Sequence, residues 1–255
     1  MSDWSPTTYL KFENERTRPA LDLLARVRSE RVRKAVDVGC GPGNSTELLA
    51  NRFPEAQIVG LDNSPAMLEA ARRRLPNVQF ELIDAAMWTP EPDVKLVFAN
   101  ATLHWIPRHL EQLTRLFSAM SAGATLAVQM PDNTEEPTHR SMRDVALARP
   151  WSAPLTEAVR EALPPARAYY EALGPATQRL DIWRTTYHHV LPSPAAIVEF
   201  VRATGLRRFL DPLRESERAE FLALYTDRIA AAYPQLADGK VMLAFPRLFL
   251  VAERA

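Results

Sequence analysis

Cysteine is almost missing from this 255-residue chain, Cys40 being the only one. An intramolecular disulfide is therefore impossible, and a cysteine-based zinc site would need a second chain. That usage fits a reducing compartment, and a cytoplasmic protein is expected. A surplus of either charge is missing too, since 31 Lys and Arg stand against 31 Asp and Glu. Polyanionic partners demand a cationic surplus, so neither nucleic acid nor a membrane is expected as a partner. No stretch approaches the ~20 apolar residues that span a bilayer. Met1 to Leu10 carries Asp3, Pro6 and Thr7 where a secretory leader would place a basic segment and an apolar run. Lysine is confined to Lys11, Lys34, Lys95 and Lys240, which leaves cationic contacts to arginine, whose fork can grip a carboxylate bidentately. The simpler reading of that bias is a compositional habit.

What is present is regular. From Arg33 to Met130 short apolar runs alternate with helix-like segments, the pattern of successive β-α units and a parallel sheet. Strands are expected at Ala35 to Val38, Ile58 to Leu61, Val78 to Ile83, Leu96 to Ala99 and Thr125 to Val128. Helices are expected between them at Ser45 to Arg52, Pro65 to Leu75 and His109 to Met120, with another from Pro19 to Glu30 ahead of the first strand. Asn63 and Ser64 are capping residues in front of Pro65, which sits where a helix tolerates proline.

After Pro131 the texture changes. Helix-like stretches appear at Pro137 to Ala148, Leu155 to Leu163, Pro194 to Thr204 and Arg214 to Tyr233, broken by strand-like runs at Gln178 to Val190 and Phe245 to Ala252. The expected architecture is α/β: a Rossmann-like, seven-stranded, mostly parallel sheet with helices on both faces, plus a helical cap formed by insertions in the C-terminal half. In residue terms, 1–131 is the core, and 132–255 is the cap with two strands, about 178–190 and 245–252, that return to the sheet.

The first strand runs into Val38-Gly39-Cys40-Gly41-Pro42-Gly43 and then a helix, so the glycines occupy a strand-to-helix turn where ligands bind. A dinucleotide fingerprint would require glycine at Asn44. Asp37, just before the loop, disfavours a pyrophosphate and suits an ammonium group, so charge favours S-adenosylmethionine over a nicotinamide dinucleotide. Asp62 ends the second strand, 21 residues after Gly41, where an acid accepts from vicinal ribose hydroxyls in either ligand class. Asp84 ends the third strand, where its carboxylate can accept from an adenine amino group. Asn100-Ala101-Thr102-Leu103-His104-Trp105 follows the fourth strand to the same edge and should face the reacting group.

With those residues the chain resembles the class I S-adenosylmethionine-dependent methyltransferases. Within them it is similar to the trans-aconitate methyltransferases, in Asp3-Trp4 with Tyr9, Glu15 to Ala20, Ala99 to Trp105, Gln129 to Asn133, Glu136 to His139, Asp181 to Tyr187, Thr204 to Leu213 and Phe245 to Phe249. The resemblance implies esterification of a carboxylate of trans-aconitate, S-adenosylhomocysteine as product, and no metal. It implies cofactor contacts at Asp37, Gly39, Cys40, Gly41, Gly43, Asp62, Asn63, Asp84, Ala85 and Asn100, with Tyr9 and Arg18 near the methionine carboxylate. His104, Trp105 and Arg207 are the residues expected to engage the acceptor, with Arg208, Arg140, His139, Arg184 and Tyr187 as further anchors. A hydroxyl or phenol acceptor, with His104 as base, stays open. So do a nicotinamide-dependent oxidoreductase and a non-enzymatic binding module.

Overall fold

The computed structural model of the protein describes residues 11–29, 31–153 and 155–255. Seven strands form one sheet in the order β3-β2-β1-β4-β5-β7-β6. They are β1 (Lys34–Val38), β2 (Gln57–Asp62), β3 (Gln79–Leu82), β4 (Leu96–Asn100), β5 (Thr125–Pro131), β6 (Thr177–Leu191) and β7 (Val241–Arg254). The first five pair in parallel, and β7 runs antiparallel to β5 with Gln129 beside Phe249. This is the expected α/β sheet with one reversed strand.

By contact the chain divides into two units. Among the described residues, one holds 11–131, 163–185 and 247–255, and the other holds 132–162 and 186–246. The boundary falls inside β6 and β7, each of which gives one end to either unit.

In the sheet unit the helices are α1 (Glu13–Ala25), α2 (Asn44–Arg52), α3 (Pro65–Arg74), α4 (His109–Ala119) and α6 (Ala166–Leu173). Strand alternation sends Val36, Val38, Val97, Ala99, Leu126, Val128, Leu248 and Leu250 to one face, where they pack on Leu113, Leu116 and Phe117 of α4 and on Tyr169 and Leu173 of α6. The register puts Asp37, Phe98, Asn100, Ala127, Gln129 and Arg247 on the opposite face, the one over which α1 and α2 lie. Near-complete burial explains why β1, β4 and β5 read as apolar runs.

The helical unit contains α5 (Pro137–Leu147), α7 (Pro194–Arg202), a single turn α8 (Arg207–Leu210) and α9 (Glu215–Ala232), with α9 packed on α5 and α7. Two expectations are corrected. The first helix starts at Glu13 and ends at Ala25, carrying Pro19 inside it. The stretch from Leu155 to Leu163 is irregular apart from a 3-10 turn at Thr156–Ala158. The helix appears instead at α6, opened by Pro165, since a proline is accommodated at a helix start while the residue before a proline is biased away from helical backbone.

Candidate active site at the carboxyl ends of the strands

The loop between β1 and α2 takes its shape from three left-handed glycines, Gly39 (φ 70°), Gly41 (φ 55°) and Gly43 (φ 92°). A Cβ on Gly39 would stand 2.1 Å from Thr102 Oγ1, so that glycine lets the β1 and β4 loops meet. A Cβ on Gly41 would meet nothing within 4 Å, which leaves room for a ligand against the backbone. The loop N–H groups, which sequence reasoning leaves for a ligand, turn out to be committed inside the protein. Gly39 N and Cys40 N both donate to the Leu61 carbonyl at 2.7 and 2.9 Å, Gly41 N donates to Asp62 Oδ2 at 2.9 Å, and Gly43 N to the Cys40 carbonyl at 3.1 Å. A loop so arranged offers little to a pyrophosphate. The Cys40 side chain joins Leu68, Ala71 and Phe80 in an apolar cluster, and burial pushes its thiol far above the ordinary range.

Asp37 is fully buried. Its Oδ2 accepts from the Ser45 and Thr46 hydroxyls, both at 2.7 Å, while Oδ1 has no hydrogen-bonding partner among the described residues. Burial pushes its carboxyl up to about 6, against the two hydroxyls, which lower it. Asn100 Oδ1, at the end of the neighbouring strand, is likewise buried with no partner. Two orphaned acceptors on neighbouring strands and the same face of the sheet suit a cation, and a ligand ammonium fits them. Asp62 is held by Gly41 N at Oδ2 and by Ser64 N, 2.9 Å from Oδ1. A carboxylate so held can also accept from ribose hydroxyls. Asn63 and Asp84 are exposed and Ala85 is half-buried; Asp84 Oδ1 accepts from Ala86 N at 2.9 Å.

After Asn100 the chain bends through Ala101, whose φ of 56° is unusual for a residue with a Cβ and marks stored strain at the site. The following 3-10 turn, Leu103–Trp105, brings His104 and Trp105 together with ring centroids 4.6 Å apart. His104 is buried.

The remaining expected residues separate. Tyr9, with Asp3 and Trp4, lies outside the described residues. Arg18 is exposed on α1, whose register buries Arg16 instead. Arg207 belongs to the helical unit, where it pairs with Asp211 at 3.5 Å, and Arg208 donates to the Glu157 carbonyl at 2.8 Å. Burial, reinforced by Arg160 and Arg143, pushes the His139 imidazole well below its ordinary value, so it offers hydrogen bonds and no charge. Trp183 stacks on Phe249 at 4.9 Å, a packing role. Sequence reasoning missed Ser45 and Thr46, the clamp on Asp37, and also Gln129 and Arg247. The signal for Gln129 was present: one amide in the apolar run Thr125-Leu126-Ala127-Val128-Gln129-Met130.

The sheet order, the glycine loop and the acceptor pair define an S-adenosylmethionine-dependent methyltransferase. Residues 35–123 match the family described as "Methyltransferase domain". The solved phosphoethanolamine N-methyltransferase 2 of Haemonchus contortus, in complex with S-adenosyl-L-methionine, is similar in fold, with a TM-score of 0.55 at 15% identity over 93% of this chain and 53% of that one. Similarity at the level of sequence is much closer. A trans-aconitate 2-methyltransferase of Methylobacterium radiotolerans is 56% identical over 100% of both chains, and one of Rhodopseudomonas palustris is 55% identical over 99% of both. The chain belongs to the trans-aconitate 2-methyltransferase family.

Proposed function

We propose that the protein transfers the methyl group of S-adenosylmethionine to a carboxylate of trans-aconitate, giving a monomethyl ester and S-adenosylhomocysteine. The observation that carries the reading is the reach of the likeness: an alignment at 56% identity covers the whole chain, well beyond residues 35–123, which match a general methyltransferase domain. Bound S-adenosylmethionine supplies an electrophilic methyl group on a sulfonium. The chain supplies placement. Asp37 and Asn100 hold the ammonium through their orphaned oxygens, Asp62 orients the ribose, and Asp84 with Ala85 borders the base.

A carboxylate acceptor, with a pKa near ~4, is ionised at neutral pH and needs no general base. Alignment and exclusion of water therefore dominate, and orientation of this kind can contribute on the order of 7 kcal/mol or more. In this reading His104 and Trp105 position the acceptor and do not take a proton from it. Arg207 is the proposed anchor from residues 132–255, which we read as helical substrate-binding insertions that follow a cofactor-binding core of residues 1–131 and send two strands back to its sheet. No helix among the described residues is long and apolar enough to cross a membrane. Balanced charge and a single buried cysteine support a cytoplasmic enzyme with small-molecule partners.

The test is methyl transfer from labelled S-adenosylmethionine to trans-aconitate, with cis-aconitate, citrate, isocitrate and a hydroxylated aromatic acid alongside. Preferential labelling of trans-aconitate as a base-labile ester is expected. Labelling of the aromatic acid alone, lost in His104→Gln, would move the assignment to a hydroxyl acceptor.

A further inference from the structure

Gln129 is completely buried near the carboxyl end of β5, and Arg247 on β7, 4% exposed, donates from Nη1 to its Oε1 at 3.1 Å. That bond fixes the amide: the oxygen faces the guanidinium, so the NH2 group is turned to another partner. Gln129 Nε2 has none among the described residues. Burial of an amide donor without a bond costs about 1–3 kcal/mol, so a group left this way in a strand that is otherwise apolar calls for a ligand.

The position of the amide says what kind of ligand. Asp37, Asn100 and Gln129 occupy successive strands on one face of the sheet, Asn100 in register with Gln129. Along that row the orphaned atoms change in character. Over β1 and β4 they are acceptors, Asp37 Oδ1 and Asn100 Oδ1, and over β5 the orphan is a donor, backed by the buried cation of Arg247. Asp62 and Asp84 lie to the other side of β1, toward β3. At ~4.8 Å between strands, β5 stands about 10 Å from β1, beyond an ammonium seated on Asp37 and on the side away from the adenosine. A ligand spread along the edge would thus meet acids for its ribose and base, acceptors for its ammonium, and finally an anion site. The cofactor's one anionic group is its methionine carboxylate, for which the sequence resemblance implies Tyr9 and Arg18, which leaves the β5 site to an anion of the acceptor; S-adenosylhomocysteine binding that weakened tenfold in Gln129→Glu would give the site to the cofactor instead.

We infer that Gln129, held and charged by Arg247, anchors a non-reacting carboxylate of the methyl acceptor and so selects polycarboxylates. The inference rests on the reading of a tricarboxylate acceptor. The Gln129 amide donates to a carboxylate oxygen while Arg247 fixes the amide and supplies positive charge in a site sheltered from water, where such bonds are strong. Gln129 contacts the substrate; Arg247 is a positioning residue.

The experiment compares wild type, Gln129→Glu and Arg247→Lys. Gln129→Glu keeps the shape of the side chain and pairs with Arg247, so the strand stays packed while an anion stands where the substrate carboxylate belongs. Calorimetry first measures S-adenosylhomocysteine binding, then trans-aconitate binding to the S-adenosylhomocysteine-loaded protein. Transfer kinetics follow with trans-aconitate and with glutaconate, which has the same chain without the branch carboxylate. In Gln129→Glu, S-adenosylhomocysteine binding is expected to stay within about twofold while trans-aconitate binding weakens about tenfold or more, the weight of one hydrogen bond to a charged group. Wild-type preference for trans-aconitate over glutaconate should shrink in both variants through KM, with Arg247→Lys the milder. A merely structural pair would lower stability and leave that preference intact. Trans-aconitate binding to a folded Gln129→Glu within about twofold of wild type overturns the anchor and leaves the proposed reaction standing. Wild-type binding of trans-aconitate without methyl transfer removes the proposed reaction and leaves the anchor. No binding of either acid to loaded wild type overturns both.

Discussion

At the carboxyl end of the sheet, Asp37 Oδ1, Asn100 Oδ1 and Gln129 Nε2 are sheltered from water with no partner among the described residues. In the helical unit, several polar groups are tied to one another. The Tyr225 hydroxyl donates to the Thr138 carbonyl at 3.2 Å, Arg160 to Asn133 Oδ1 at 2.8 Å, and Arg218 Nε to the Leu210 and Leu213 carbonyls at 2.9 and 2.8 Å. Each orphan costs about 1–3 kcal/mol of folding free energy, so a fold retains several together only where a ligand later satisfies them. The helical unit uses the same chemistry to close loops and helix ends. Polar groups at the sheet edge are therefore expected to report in binding, and those of the helical unit in stability.

The severest trial of that contrast lies within the glycine loop. Gly39→Ala places a Cβ on the Thr102 side chain at a φ of 70°, and a loss of about 2–4 kcal/mol is expected from strain and overpacking together. Gly41→Ala meets open space, so it should cost the free protein only about 1–2 kcal/mol for the left-handed backbone and act chiefly on cofactor affinity. Chemical denaturation paired with S-adenosylhomocysteine titration separates the two. Equal losses of stability would show that the space beside Gly41 is not a ligand's.

Next in size is Asp37→Asn. The amide oxygen can still accept from Ser45 and Thr46, and a buried charge is removed, so thermal stability should hold or rise at neutral pH. S-adenosylhomocysteine affinity should fall about 10- to 100-fold, the weight of a hydrogen bond between charged groups. The pH dependence follows from the sign of the shift. With a folded-state carboxyl raised to about 6 by burial, the favourable contribution of Asp37 to stability is present below its unfolded value near 3.8 and is lost as pH rises through about 6. An ammonium ligand requires the ionised form, so cofactor binding should weaken as pH falls below about 6 and release protons there. The Asn variant should lose that pH dependence. A variant that loses stability and keeps affinity would reverse the contrast.

Much of this edge is legible in the sequence because its parts are local. Asp37, the glycines, Asp62 and Asp84 each stand at the end of an apolar run, where period and turn residues mark the strand terminus. Register-dependent features were not legible. That α1 buries Arg16 and exposes Arg18 follows from the rotation of the helix, and Pro19 conceals that helix by sitting inside it. Gln129 and Arg247 meet only because β7 returns antiparallel beside β5, 118 residues later in the chain. The run Leu155 to Leu163 carries helical period without forming a helix, while Pro165 caps the true one. Local periodicity reports which face is apolar and not where a proline lets a helix begin.

Arg207 tests the contrast from the other side. Its pairing with Asp211 at 3.5 Å, an i,i+4 contact on α8, is weak support for the fold, since partly exposed pairs contribute ~0–1 kcal/mol. If Arg207 engages a carboxylate of the acceptor, Arg207→Ala should raise the KM for trans-aconitate about tenfold, with S-adenosylhomocysteine affinity and thermal midpoint nearly unchanged. An unchanged KM would return Arg207 to the structural group and strengthen the division between the units.

The smallest effect is expected at Tyr225. Its ring is fully buried and burial pushes its phenol well above the ordinary value, so it stays a neutral donor to the Thr138 carbonyl throughout the working pH range. Tyr225→Phe removes that single hydroxyl and leaves the ring packed, which costs about 1 kcal/mol and lowers Tm by roughly 2–4 °C for a chain of this size. Kinetic constants for cofactor and acceptor should match wild type, because Tyr225 joins α9 to the start of α5 and nothing in its bonding is left over for a ligand. A change in KM without a change in Tm would place a binding residue among the groups assigned here to the fold, and the contrast between the two units would fail at its quietest point.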